Sequence, residues 1–164
     1  TLSLHDALPI FVNESKETIL MYADRFALDY IQLHGCESPG YCRSLRSSGL
    51  HLIKAFSISQ SKDLATVSDY KGLCDYYLFD AKTSLYGGSG NQFDWNLLHR
   101  YSGMTPFLLS GGINPYSVKA IREFHHPKLA GIDINSRFET APGNKDVERI
   151  GKFLQAIRTG ETAG

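Results

Sequence analysis

Pro106-Phe107-Leu108-Leu109-Ser110-Gly111-Gly112-Ile113, followed by Gly131-Ile132-Asp133-Ile134-Asn135-Ser136-Arg137-Phe138-Glu139, is the pair of stretches on which the fold turns. Each is a short apolar run that stops at small, polar or glycine residues and gives way to a helix-like stretch. Two neighbouring strands ending in this way aim several backbone N–H groups at one spot, which suits a phosphate. In a (β/α)8 barrel the phosphate site characteristically follows strands seven and eight. The end of the chain therefore reads as the end of a barrel. Its beginning does not read as a barrel's beginning.

Working outward, apolar, β-branched or aromatic runs recur at Pro9–Val12, Tyr30–Leu33, Leu52–Phe56, Tyr76–Phe79, Pro106–Leu109 and Leu129–Ile134. Stripes at helical spacing lie between or after them: Ile19, Leu20, Ala23, Phe26 and Ala27, and later Val147, Ile150, Phe153, Leu154 and Ile157. Ser38-Pro39 and Asn114-Pro115 each offer an N-cap followed by proline at the first helical position. The pattern predicts six strands, each followed by a helix, in an alternating β/α chain with a mostly parallel sheet. A (β/α)8 domain needs about 250 residues, with about 200 near the minimum. The 164 residues leave two architectures: an open doubly wound sheet, or a barrel lacking two units.

Composition excludes more than it assigns. Hydrophobic residues make up 42%, charged residues 21%, and the formal net charge is zero. This balance gives no electrostatic reason to expect nucleic acid or a membrane surface as partner. No apolar run approaches the ~20 residues that span a bilayer. Cys36, Cys42 and Cys74 are odd in number and lack CxxC spacing, which argues against a disulfide framework or a zinc site. A cytoplasmic setting is the default expectation. Thr1 to Ile10, TLSLHDALPI, has neither a basic start nor a small-residue cleavage site and reads as a foreign or misassembled segment. Residues 11–164 form the expected single domain.

Several side chains sit where chemistry gathers. Asp80 ends the run Tyr76-Tyr77-Leu78-Phe79-Asp80, and a carboxylate at the C-terminal end of a buried parallel strand is placed for general acid work. It also suits a turn cap or a pair with Lys82. Gln32 and His34 alternate with Ile31 and Leu33, share one face, and suit hydrogen bonds to a polar ligand or a satisfied core. Lys54, inside Leu52-Ile53-Lys54-Ala55-Phe56, is costly unless paired; it reads as a barrel-interior charge meeting Asp80 or Asp133, or as an edge-strand lysine facing solvent. Asp133 is open between orienting a ligand and a core salt bridge. Gly111, Gly112, Asn135 and Ser136 are the candidate phosphate donors. Gly87-Gly88-Ser89-Gly90 reads as a mobile loop over the site.

Taken together these segments resemble the phosphoribosylanthranilate isomerase family, a (β/α)8 enzyme of tryptophan biosynthesis. The carrying stretches are Phe11-Val12-Asn13-Glu14, Ile31-Gln32-Leu33-His34-Gly35, Ile53-Lys54-Ala55, Phe79-Asp80-Ala81-Lys82-Thr83 with Tyr86-Gly87-Gly88-Ser89-Gly90 and Phe93-Asp94-Trp95, Leu109-Ser110-Gly111-Gly112-Ile113, and Asp133-Ile134-Asn135-Ser136 onward. The resemblance implies a TIM barrel whose strands three to eight are present here and whose first two β/α units are missing. With those units go the family's general base, a Cys, and the Arg that binds the anthranilate carboxylate. It implies Asp80 as general acid; Gln32, His34 and Asp133 as substrate-binding; Gly111, Gly112, Asn135 and Ser136 as phosphate-binding; and neither metal nor organic cofactor. Asn135-Ser136-Arg137 departs from the family's more frequent Ser-Ser-Gly.

Three readings follow. The chain is a truncated isomerase acting on a phosphosugar by Amadori rearrangement, inactive alone for want of its base. Alternatively it is a non-catalytic, phosphate-binding remnant of the barrel. The third reading, another phosphosugar barrel, is opposed by the Tyr-Gly-Gly-Ser-Gly block. Open parallel edges template aggregation, and each uncovered large apolar side chain forfeits about 1.5–3 kcal/mol against a margin of ~5–15 kcal/mol. Self-association of the isolated chain is the expectation, and its oligomeric state is otherwise open.

Overall fold

The computed structural model describes residues 8–81 and 95–160 of the chain. The Gly87–Gly90 loop, Lys82 and Phe93-Asp94 lie outside the described residues, as does most of the TLSLHDALPI segment. Six strands form one parallel sheet: β1 (Ile10–Phe11), β2 (Tyr30–Leu33), β3 (His51–Ile58), β4 (Tyr76–Ala81), β5 (Phe107–Ser110) and β6 (Leu129–Ile132). All six expected strands are present, with ends displaced by at most two residues. The strand order follows the chain order without reversal. A doubly wound sheet reverses its order at a switch point. A strictly sequential parallel order instead sends every right-handed crossover to the same face, as in a barrel wall.

Side-chain alternation agrees. Ile31, Leu33, Leu52, Ile58, Tyr77, Phe79, Phe107 and Leu109 share one large buried cluster with helix residues such as Ile19, Leu45, Ile121 and Phe153. Ile53, Ala55 and Leu78, on the other face, form a small cluster of their own with Tyr30, Tyr76, Leu108 and Leu8 around it. The helices thus cover one face, and the second face is the concave wall. Leu8 lies on that wall, and the Pro9 carbonyl accepts from the Gln32 N–H at 2.9 Å.

The connections are shorter and tighter than the sequence pattern predicts. Helices α1 (Lys16–Phe26), α2 (Pro39–Arg46), α3 (Val118–Glu123) and α4 (Val147–Thr159) are α-helical, whereas Ser61–Tyr70 and Trp95–Arg100 are 3-10 stretches. Ser38 caps α2 through the Tyr41 N–H, with Pro39 at its start, and Asn114 caps a 3-10 turn that leads into α3. In α1 only Ile19 and Ala23 of the expected stripe are buried, and Phe26 is largely exposed. Val147 is likewise exposed on α4. After β6 the chain makes a two-stranded antiparallel hairpin, β7 (Glu139–Ala141) and β8 (Asn144–Lys145). Among the described residues no helix is long and apolar enough to cross a membrane.

Candidate active site

The concave face changes character along the strands. Register places Ile53 beside Tyr76, then Ala55 beside Leu78 and Leu78 beside Leu108, then Ser57 beside Asp80 and Asp80 beside Ser110. Two apolar tiers therefore form a floor, and the last tier, at the C-terminal ends, is polar. That end is where barrel chemistry is built. A period of two carries the change: each strand needs only its final inward residue to be polar.

On this rim the structure brings together most of the residues singled out above. The Gln32 Nε2 donates to His34 Nδ1 at 2.9 Å, and His34 Nε2 lies 3.8 Å from Asp80 Oδ2. Gln32 is buried, whereas His34 and Asp80 are partly open to solvent. One strand further, the Ser110 hydroxyl donates to Asp133 Oδ2 at 2.9 Å. Asp133 thus takes a hydroxyl partner from the neighbouring strand.

The two carrying stretches end side by side, since β5 and β6 pair and the Asp133 N–H bonds to the Leu109 carbonyl at 2.8 Å. Gly111 and Gly112 both have positive φ, 82° and 68°, which a side chain strongly disfavours. A Cβ on Gly112 would meet nothing within 4 Å, so the space above the turn is open. Asn114 Nδ2 holds the turn by donating to the Gly112 carbonyl at 3.2 Å. Asn135 and Ser136 open a single 3-10 turn, Ser136–Phe138, and Lys145 ties it down by donating to Asn135 Oδ1 and to Glu139 Oε1, each at 2.6 Å.

Lys54 is the clear departure. It lies on β3, in the middle of the sheet, with its side chain on the helix-covered face, and it reaches neither Asp80 nor Asp133. Its ammonium pairs with Glu37 Oε2 at 3.2 Å, both side chains being at most 3% exposed, and it donates to the Gly35 and Ala55 carbonyls at 2.8 Å. Burial alone would push the Glu37 carboxyl up. The Asn13 N–H at 2.8 Å and the Lys54 ammonium outweigh burial and hold it below the usual carboxylate range. The partner was hidden from sequence because Glu37 sits in a loop, with no periodicity to place it. The one hint was parity, which groups Lys54 with Leu52 and Phe56 rather than with Ile53 and Ala55.

A cavity of about 490 Å³ opens next to His34, lined among others by Cys36, Ser57, Lys62, Asp63 and Tyr70. Its far wall is the Ser61–Tyr70 stretch, which no motif in the sequence marks. Cys36 is exposed in the loop after β2, its N–H bonded to Asn13 Oδ1 at 2.6 Å. Cys42 and Cys74 are buried in the helix layer. Among the described residues no group of three or more His, Cys, Asp or Glu side chains forms a metal-binding set.

A sequential parallel β/α wall, with a carboxylic acid and two glycine- or polar-ended strands on its C-terminal rim, defines a barrel-type enzyme. The profile of the N-(5′-phosphoribosyl)anthranilate (PRA) isomerase family matches residues 5–156. The chain belongs to that family, whose members are isomerases of tryptophan biosynthesis. It is 52% identical over 149 residues to N-(5′-phosphoribosyl)anthranilate isomerase of Phocaeicola vulgatus, covering 91% of this chain and 73% of the relative. The Parabacteroides distasonis isomerase is 50% identical, with 90% and 67% covered. Among solved structures, the Thermotoga maritima phosphoribosyl anthranilate isomerase is 35% identical with a TM-score of 0.78, covering 91% of this chain and 71% of that one. Another, in complex with reduced 1-(o-carboxyphenylamino)-1-deoxyribulose 5-phosphate, is 31% identical with a TM-score of 0.76, covering 91% of this chain and 69% of that one.

Proposed function

We propose that this chain carries the acid and phosphate side of an isomerase site that converts N-(5-phosphoribosyl)anthranilate into 1-(2-carboxyphenylamino)-1-deoxyribulose 5-phosphate. The observation that carries the reading is the shared rim: Asp80 lies 3.8 Å from His34, and its strand β4 directly neighbours β5, whose end pairs with that of β6. Asp80 protonates the furanose ring oxygen, the C1–O bond breaks, and the nitrogen lone pair gives an iminium. A base then removes the proton from C2, and the resulting enolamine tautomerises to the ketone. The backbone N–H groups around Gly111, Gly112, Asn135 and Ser136 hold the phosphate, as a nest of donors does. Gln32, His34 and Asp133 contact the substrate.

The same reading treats the 164 residues as six of eight barrel units, with the base on a unit they do not supply. Cys42 and Cys74 are buried on the wrong face, and Cys36 lies in a loop outside the polar tier. The chain by itself is then inactive, and joining it to the preceding strands of the Phocaeicola relative restores turnover. Isomerisation by the bare chain overturns the incompleteness. A completed chain that still binds inorganic phosphate but never turns over favours a non-catalytic, phosphate-binding remnant. A cytoplasmic setting, where a phosphorylated substrate is retained by its charge, belongs to this reading.

Incompleteness also leaves an apolar edge. Val12 is 62% and Phe26 58% exposed, next to β1, and Ile10 and Met21 are half-exposed there too. Sedimentation of the bare chain is expected to show self-association, and Val12→Lys with Phe26→Lys is expected to shift it towards monomer. Both side chains already face solvent, so the substitutions leave the core intact. A wild-type chain that sediments as a monomer sinks this expectation.

A further inference from the structure

The rim holds a contact that the proposed chemistry does not use. Gln32 is 3% exposed, and its amide nitrogen, which can only donate, points at His34 Nδ1 from 2.9 Å. An acceptor at Nδ1 must carry a lone pair, so the ring held this way is neutral with its proton on Nε2. That Nε2 edge is the one turned towards Asp80, at 3.8 Å. A second proton on Nδ1 would face the amide N–H groups head-on. Gln32 therefore opposes the imidazolium form, and with it the full ion pair that would keep Asp80 a carboxylate.

We propose that Gln32 is a positioning residue for the acid Asp80, acting through His34 by fixing the imidazole as its neutral Nε2–H tautomer. The inference rests on the assignment of Asp80 as the acid. A neutral ring leaves the Asp80 carboxyl free to hold its proton before ring opening. Once the proton has gone to the sugar oxygen, the Nε2–H faces the new carboxylate and stabilises it. The ring stays an N–H donor throughout and needs no net proton transfer. Among the described residues, the charged and titratable groups that share the cavity with the ring are Cys36, Lys62, Asp63 and Tyr70, while Lys54 is already satisfied by Glu37. None of these has a contact with Nδ1 that competes with the Gln32 amide.

The experiment is nitrogen-15 NMR of the histidine-labelled chain, in solution or by magic-angle spinning on sedimented protein, with His34→Asn used to assign the signal. In the wild type at mildly alkaline pH, Nδ1 is expected to be unprotonated and Nε2 protonated, in one tautomer. Gln32→Glu replaces the donor with an acceptor and is expected to move the proton to Nδ1 and shift the His34 titration to higher pH. Gln32→Met, similar in volume and without either group, is expected to leave a mixture of tautomers. In the completed chain, Gln32→Glu is expected to lower kcat about tenfold or more, part of what an acid supplies. A protonated Nδ1 in the wild type, or a tautomer indifferent to both substitutions in folded protein, overturns the clamp. A swapped tautomer with unaltered kcat, where Asp80→Asn does abolish turnover, overturns the link to the acid. If Asp80→Asn is itself harmless, the acid assignment has failed, and the NMR still decides the clamp.

Discussion

Asp80→Asn is expected to lower kcat by about 10²–10⁴-fold, the usual contribution of a positioned general acid, while KM changes little. Asn fills the same volume but has no proton to give to a departing ring oxygen. The groups proposed to bind the phosphate lie on the loops after β5 and β6, so substrate still docks. Initial isomerisation rates of the chain completed with the Phocaeicola relative's preceding strands provide the measurement. Ser110→Ala is the natural control: it occupies the same polar tier, beside Asp80 in register, yet its hydroxyl is turned to Asp133. It is expected to cost only a few-fold, in line with one lost neutral hydrogen bond of about 1 kcal/mol. A variant that keeps kcat within threefold of wild type, with its fold intact, removes Asp80 from the mechanism. A loss that appears entirely in KM would instead make it a binding group.

The rim was legible because it depends on parity, which sequence carries. Gln32 and His34 alternate with Ile31 and Leu33, and Asp80 and Ser110 each extend an alternating apolar run by one inward step. Strand order, a long-range property that no local pattern encodes, argues against the doubly wound alternative that length left open. Phe26 obeys the helical stripe of α1 and is nevertheless exposed, because the sheet ends at β1 on that side among the described residues. A stripe says that a face is apolar, and only the tertiary neighbour decides whether it is covered. The β7–β8 hairpin turns at Pro142-Gly143, where Gly143 takes a φ of 79°. Lys54 shows the opposite bias. Charge in an apolar strand drew attention to the barrel interior or a solvent-facing edge, although its parity pointed to the helix face.

Lys54→Met is expected to destabilise the chain by about 3–5 kcal/mol at neutral pH, the usual cost of stranding one member of a buried ion pair. Glu37 would then keep the Asn13 and Gly35 amides, at 2.8 and 3.1 Å on Oε1, and lose the Lys54 ammonium that pairs with Oε2. Against a margin of ~5–15 kcal/mol that loss unfolds a substantial fraction. The double variant with Glu37→Gln removes both charges and is expected to recover a large part of the deficit. The pH dependence separates the charge effect from lost packing. In the wild type the folded carboxyl lies below its unfolded value of about 4.5. The pair's contribution is therefore fully present above that value and is lost as pH falls through the lower, folded one. In Lys54→Met the ammonium no longer helps to hold the carboxyl down, so the carboxyl rises from its wild-type position, its buried charge is neutralised sooner on acidification and its penalty relaxes. Urea unfolding at pH 7 and near pH 4.5 should show the Lys54→Met deficit shrinking at the lower pH. A deficit that is the same at both values would mean that the Lys54 side chain, whose ammonium also lies 5.2 Å from the Phe56 ring centroid, matters through contacts other than its pairing with Glu37.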